Sequence, residues 1–299
     1  MSPSPTTRPL CVITGAQGYL GNRLVRFFLR DGWRVLGLSR NPPTGGPVPG
    51  LSWASFALGQ DRLPPEAAHA DALIHCAYDF SPRRWPEIVA RNVTGTTRLF
   101  TAARQNGIRQ IVLISSMSAY GGCRSYYGRA KLAAEDTARE QGALLVRPGL
   151  IYGPQPGGMF GRLVNQVRRS QLTPLFGRGH QLLHLVHEDD LALFLASHLR
   201  SSAPVPLQPV IAAQPQGWRF RDLLTEIARE HNRSLIFLPV PWRPVWLFLK
   251  LLEAVGMPLH FRSDSLLSLM HQDPNPDFSA ARQAGYLSRE FRPPSESEK

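Results

Sequence analysis

Tyr127 and Lys131 stand four residues apart in Tyr127-Gly-Arg-Ala-Lys131, a spacing that puts both side chains on one face of a helix. A free tyrosine titrates near about 10 and is a poor acid or base at neutral pH. A neighbouring ammonium favours the phenolate, so the pair predicts a phenol of lowered pKa that exchanges a proton with an alcohol or ketone oxygen. Just upstream, Ser115-Ser-Met-Ser-Ala-Tyr-Gly121 offers hydroxyls at 115, 116 and 118 that could hold such an oxygen.

A second group precedes it. Thr14-Gly-Ala-Gln-Gly-Tyr-Leu-Gly21 joins an apolar run to a helical pattern. Gly15 permits the tight turn, Gly18 lets backbone approach a pyrophosphate, and Gly21 lets helix and strand pack closely. The expected dinucleotide cradle is therefore Gly15, Gln17, Gly18, Tyr19, Leu20 and Gly21, with the pyrophosphate on the helix N-terminus. The next strand ends Gly37-Leu-Ser-Arg40, with no carboxylate for the 2′-hydroxyl of NAD. Ser39 and Arg40 suit a 2′-phosphate instead, so the expected cofactor is NADP(H) in preference to NAD(H).

These groups need a scaffold. Short apolar runs at 10–14, 34–38, 72–76, 111–115 and 144–147 alternate with helical patterns at 20–30, 85–106 and 127–141, and 41–50 is a Pro/Gly loop. That rhythm predicts an α/β fold, a Rossmann-type doubly wound parallel sheet covered by helices. After Pro148 the pattern changes. Helices are expected at 160–169, 189–199 and 220–230, and strands at 210–212 and 235–238. The expected division is a Rossmann domain over 8–150, its sheet completed by segments up to about 212. A smaller C-terminal α/β substrate lobe follows over 151–291, and 1–7 and 292–299 are flexible tails. The almost wholly apolar segment 245–252 is expected as a buried helix of the lobe. Contact with a membrane surface is the alternative, against which only Lys250 interrupts it with a charge.

Bulk composition narrows the class. The chain has 299 residues, is 43% hydrophobic and carries a formal charge of +12. Its basic residues are spread rather than clustered, which argues against nucleic acid and suits a phosphorylated ligand. No apolar run reaches the ~18–20 residues of a membrane span, and the first ten residues lack the apolar core of a secretory signal. A cytoplasmic location is expected. Cys11, Cys76 and Cys123 form no CxxC pair, so reduced thiols and no metal site are expected.

Taken together, these motifs resemble the extended short-chain dehydrogenase/reductases, the NAD(P)-dependent epimerase/dehydratase family. Besides the glycine loop and Tyr127-Gly-Arg-Ala-Lys131, four further segments match across residues 10–200. They are Asp71-Ala-Leu-Ile-His-Cys-Ala77, Asn92-Val-Thr-Gly-Thr96, Arg147-Pro-Gly-Leu-Ile-Tyr-Gly-Pro154 and Val186-His-Glu-Asp-Asp-Leu-Ala192. The resemblance implies Tyr127 as general acid/base, Lys131 as modulator and ribose ligand, and Ser116 as the hydroxyl on the substrate oxygen. Ala77 would wall the adenine and ribose, Asn92 would buttress the site, Pro148 would shape the nicotinamide pocket, and Ser115 would join the cofactor contacts.

Departures from the family pattern narrow the chemistry. Met117 and Ser118 stand where the dehydratases carry an acid pair, so dehydration is not expected. Met117 also replaces the cysteine of members that epimerise by proton abstraction. Leu183 stands where many sugar-nucleotide enzymes have arginine, and Tyr127 follows Ser116 by only eleven positions. Arg162, Arg168, Arg169 and Arg178 remain candidates for a diphosphate. The favoured expectation is an NAD(P)(H)-dependent oxidoreductase transferring hydride at a secondary alcohol or ketone carbon. A sugar-nucleotide 4-epimerase with tightly held NAD and a non-catalytic NAD(P)-binding protein are the alternatives. Substrates of both enzymatic readings are small molecules, and a homodimer is left open.

Overall fold

The structure, a computed structural model, describes residues 8–201, 203–257, 259 and 261–293. The expected tails, 1–7 and 292–299, lie outside the described residues apart from Arg292 and Pro293. In chain order the first part comprises β1 (Leu10–Thr14), α1 (Tyr19–Arg30), β2 (Arg34–Ser39), β3 (Leu51–Ser55), β4 (Ala72–His75), α2 (Trp85–Ile88), α3 (Gly95–Gln105), β5 (Gln110–Ile114), α4 (Tyr126–Glu140) and β6 (Leu144–Pro148). There follow β7 (Leu150–Tyr152), α5 (Gly158–Arg169), β8 (Leu172–Phe176), β9 (Leu182–Leu183), β10 (Leu185–His187), α6 (Glu188–Arg200) and β11 (Val210–Ala212). The last are β12 (Trp218–Arg219), α7 (Phe220–Glu230), β13 (Ile236–Val240), α8 (Trp242–Ala254), α9 (Ser263–Met270) and α10 (Ser279–Gln283).

Seven strands form one parallel sheet in the order β11-β6-β5-β4-β1-β2-β3. Strands buried on both faces read as continuous apolar runs, and β1 and β4 are buried throughout. One face is covered by α1 and α6 through Leu24, Phe28, Leu191 and Leu195. The other is covered by α3 and α4 through Leu99, Phe100, Ala134 and Ala138. The chain winds outward from β1 in both directions, so a crevice opens beyond the carboxyl ends of β1 and β4. The smaller lobe has its own core, with Phe160 and Val164 of α5 against Leu223 and Ile227 of α7.

Three elements depart from the sequence expectation. First, β3 extends the sheet beyond the five strands read before residue 150. It is an edge strand in which only Ala54 is buried, so it lacks the run that marks a central strand. Gly37 makes room for it: a Cβ there would meet the Trp53 ring at 2.6 Å. Second, the helix expected over 85–106 widens into a π-helical stretch, Val89–Thr94, between α2 and α3. Third, α8 is a helix but is not buried. None of its residues is buried, and Leu247, Phe248 and Leu251 are 55%, 59% and 59% exposed. A helix apolar on every side does not say which side meets a neighbour, and here its main neighbour among the described residues is α9. No helix among the described residues is long and apolar enough to cross a membrane.

Candidate active site

The crevice is a cleft of about 850 Å³ bounded by the glycine loop, the end of β2, the segment after β4, and the start of α4. Gly15 turns the chain at φ +65°, and a Cβ there would meet Ala77 backbone at 2.9 Å. A Cβ on Gly21 would lie 2.1 Å from the Gly15 carbonyl oxygen. These glycines therefore let α1 begin directly under the strand ends. No side chain caps α1, and no acidic residue sits in its first turn. Its free N–H groups and positive dipole end face the cleft, a built site for the pyrophosphate of a dinucleotide.

At the far end of the cleft, the Ser39 hydroxyl donates to Gln17. Arg40 projects outward, its side chain 71% exposed, and approaches Asp79 at 4.0 Å. Arg91 reaches the same carboxylate at 3.6 Å. Burial tends to raise the Asp79 pKa, but hydrogen bonds from Ser81 and the two guanidiniums hold it below the ordinary carboxylate value. This end of the cleft is thus lined by two cations around one aspartate.

Tyr127 enters from α4. The Ser125 hydroxyl caps this helix by accepting from Gly128 N–H at 3.1 Å. The Asp264 carboxylate, on α9, accepts from Tyr126 N–H at 2.6 Å and Tyr127 N–H at 3.0 Å. Gly128 lets α4 approach the loop after β5, because a Cβ there would lie 2.2 Å from the Ser118 carbonyl oxygen. Ser116 lies beside the Tyr127 phenol in the cleft wall. One turn along, Lys131 donates from Nζ to the Ile114 carbonyl at 2.8 Å.

The electrostatics correct one expectation. Burial pushes the Tyr127 phenol up, with the Ser116 bond acting in the lowering direction. The expected lowering by Lys131 is not what this geometry produces, because the ammonium is turned to Ile114 and lies over the Tyr78 ring at 5.4 Å. Burial brings the Lys131 pKa down to about 8, opposed by Cys76 and Glu135. A neutral, enclosed phenol beside a hydroxyl is arranged to donate a proton to an oxygen that gains negative charge.

Gly15, Gln17, Gly18, Tyr19, Leu20, Gly21, Ser39, Arg40, Ala77, Ser115, Ser116, Tyr127, Lys131 and Pro148 all line the cleft. Asn92 does not. It is buried within the π-helical stretch, where its amide brackets the Asp79 backbone, donating at 3.0 Å and accepting at 2.7 Å. Ser115 reaches the wall, but its hydroxyl donates to Glu135, which also forks with Arg147 at 2.8 and 2.6 Å. Leu183 is buried in the lobe core rather than facing the cleft.

Sequence reasoning missed the aromatic wall. Tyr78 packs edge-on to Tyr127 at 4.9 Å, and Phe80 stacks on it at 5.8 Å. Both directly follow β4, so their place at the carboxyl edge of a central strand was a usable signal. Asp264 had none, since it lies 137 residues from the N–H it holds.

Comparison with known proteins agrees with this geometry. The profile of the NAD dependent epimerase/dehydratase family matches residues 11–206. A Caulobacter vibrioides protein named ceramide reductase is 33% identical over 246 residues, 78% of this chain and 75% of that protein. An Escherichia coli O157:H7 protein, N-acetyl-alpha-D-glucosaminyl-diphospho-ditrans,octacis-undecaprenol 4-epimerase, is 23% identical over 255 residues, 77% of this chain and 75% of that one. Among solved structures, the UDP-glucuronic acid 4-epimerase of Bacillus cereus, in complex with UDP-glucuronic acid and NAD, shares the fold with a TM-score of 0.68 at 16% identity. That match covers 93% of this chain and 98% of the other. With a glycine cradle at the switch point of a doubly wound sheet, this chain belongs to the NAD-dependent epimerase/dehydratase family and is a nicotinamide-dependent enzyme of the oxidoreductase/epimerase kind.

Proposed function

We propose that the protein is an NADP(H)-linked reductase that converts a ketone to a secondary alcohol, or the reverse, on a substrate with an apolar portion. The observation that carries this reading is the setting of Tyr127. Its phenol lies beside Ser116 and is walled by the rings of Tyr78 and Phe80. When bound, the nicotinamide supplies or accepts the hydride at the substrate carbon. Ser116 holds the substrate oxygen, and Tyr127 gives it the proton that reduction of a carbonyl requires. Lys131 orients the cofactor ribose. Arg40, with Ser39, holds the 2′-phosphate that distinguishes NADP from NAD. Asn92 acts at one remove, by fixing the backbone of Asp79.

The aromatic mouth favours an aliphatic or otherwise apolar group next to the reacting carbon over a sugar. The relative named for ceramide, a lipid, points the same way. Met117 and Ser118 place no carboxylate beside Tyr127, in keeping with hydride transfer without elimination.

The test is NADPH oxidation by the purified chain against ketones of increasing chain length, with Tyr127→Phe in parallel. Turnover that rises with chain length and vanishes in the variant supports the reading. Interconversion of a UDP-sugar by protein that retains bound NAD through purification, with no NADPH consumed, replaces it with the epimerase.

A further inference from the structure

The exposed apolar face of α8 has no role in the chemistry above. Positions 244, 247, 248, 251 and 255 follow i, i+3, i+4, i+7, i+11 spacing and so share one side of the helix. All are exposed, and Val255, just past the helix end, is 77% exposed. The opposite side is held to the protein. Glu253 accepts from Ser263 N–H at 2.8 Å and from its hydroxyl at 2.7 Å. The outward side carries no acidic residue.

The border of this face is aromatic and cationic. Arg243 lies over the Trp242 ring at 5.7 Å, and Lys250 lies over Tyr126 at 5.5 Å and Trp246 at 5.9 Å. Arg129 covers Trp85 at 4.4 Å. Indole and phenol rings prefer the headgroup level of a bilayer, and adjacent Arg and Lys pair with its phosphates. The charges that a membrane-surface helix needs are thus supplied by Arg243 and Lys250 of the helix and by Arg129 beside it.

The same surface leads to the catalytic cleft. Arg83 donates to the Glu253 carbonyl at 2.9 Å, and Arg262 donates to the Phe80 carbonyl at 2.8 Å. These bonds pin the segment carrying Phe80 beside the C-terminal end of α8. Phe80 is 63% exposed, lines the cleft and stacks on Tyr127. Phe80, at the rim above the phenol, is thus held beside the C-terminal end of α8.

We propose that the outward face of α8, continued by Val255 and Phe80, docks on the surface of an anionic phospholipid bilayer, with the mouth of the cleft against the lipid. Burial of Leu247, Phe248, Leu251 and Val255 in the acyl boundary drives the association, and the cationic border selects anionic headgroups. The docking stands without the reductase reading. Its consequence, delivery of an amphiphilic ketone from the bilayer to Tyr127, rests on that reading.

The test is flotation of the full chain with vesicles of phosphatidylcholine alone and of phosphatidylcholine with one quarter phosphatidylglycerol. The wild type is expected to float with the anionic vesicles, about tenfold less with the neutral ones, and less as salt rises. The triple variant L247E/F248E/L251E is expected to lose about tenfold or more of the binding while keeping its melting temperature. Should that variant melt early, Leu251→Glu alone carries the comparison. A wild type that stays with the soluble fraction, or a variant that floats equally, overturns the proposal. So does a dimer, seen by sedimentation velocity without vesicles, that the variant converts to monomer, since a second copy then covers the face. NADPH-dependent reduction of the same series of ketones is assayed on the same samples. Its absence overturns the reductase reading, while flotation alone decides the docking.

Discussion

Tyr127 lies in the first turn of α4, where backbone N–H groups lack intrahelical partners. Its phenol stays protonated because it is enclosed, with Ser116 acting in the lowering direction. We predict that Tyr127→Phe lowers kcat by about 10²–10⁴-fold, the range for losing a general acid, with cofactor affinity nearly unchanged by tryptophan quenching. Arg40→Asp is predicted to shift the NADPH/NADH preference toward NADH by about 10–100-fold, the worth of one charge-assisted bond. An unchanged ratio would remove Arg40 from the cofactor site. Lys131 gives a pH signature. Its folded pKa of about 8 lies below the ordinary 10.5, so between these values the unfolded chain binds more protons. Its contribution to stability therefore rises with pH across that window, and the cost of the buried ammonium is present in full below it. The ammonium's catalytic service is lost over the same rise. Activity and the Lys131 part of stability should thus move in opposite directions above about pH 8. Comparing wild type with Lys131→Met in urea unfolding at several pH values checks the stability arm.

At the level of elements, α4 connects the two parts of the molecule. Its N-terminus is held by Ser125 from its own chain segment and by Asp264 from α9, and Ser268 of α9 donates to Ser125 at 2.8 Å. Asp264→Ala removes the acceptor for two N–H groups and is predicted to cost about 1 kcal/mol, as loss of a cap does. It should also lower kcat, because Tyr127 is one of the residues whose N–H it holds. Asp264→Asn, whose one amide oxygen can accept from only one of the two N–H groups, should recover only part of both. Equal urea midpoints for Asp264→Ala and wild type would show that the cap contributes nothing. The glycine loop has a comparable tie to the lobe: Tyr19 donates to Glu188 at 2.9 Å, and Arg23 reaches the same carboxylate at 3.3 Å. Both ends of the cleft are therefore braced by residues from beyond β6.

The whole molecule is laced rather than hinged in sequence. The chain leaves the sheet after β6, builds β7 to β10, and returns through α6 to add β11 beside β6. Sheet and lobe consequently share α6, β11 and the Asp264 cap. Calorimetry should show one unfolding transition for both. Saturation with NADPH at about a hundred times Kd should add about 2.7 kcal/mol to it. Two transitions, with only one moved by NADPH, would show that the lobe melts independently.

The local patterns were enough to read the Rossmann rhythm, the glycine turn and the Tyr127–Lys131 face, because each depends on residues close together in the chain. Apolar runs mark strands buried on both sides, glycines mark turns and close approaches, and a spacing of four marks a helix face. Edge strand β3 escaped that reading because it is half exposed, and the π-helical turn escaped because it changes hydrogen bonding rather than residue type. Four outcomes belonged to tertiary structure alone. Asp264 meets α4 across the fold, Tyr78 and Phe80 close over the phenol, and Lys131 turns to Ile114 and not toward Tyr127. The apolar residues of α8 face outward because one side of the helix finds α9 and, among the described residues, none covers the other. Sequence states which side chains are available. Burial, and the partners it selects, is decided only when distant segments come together.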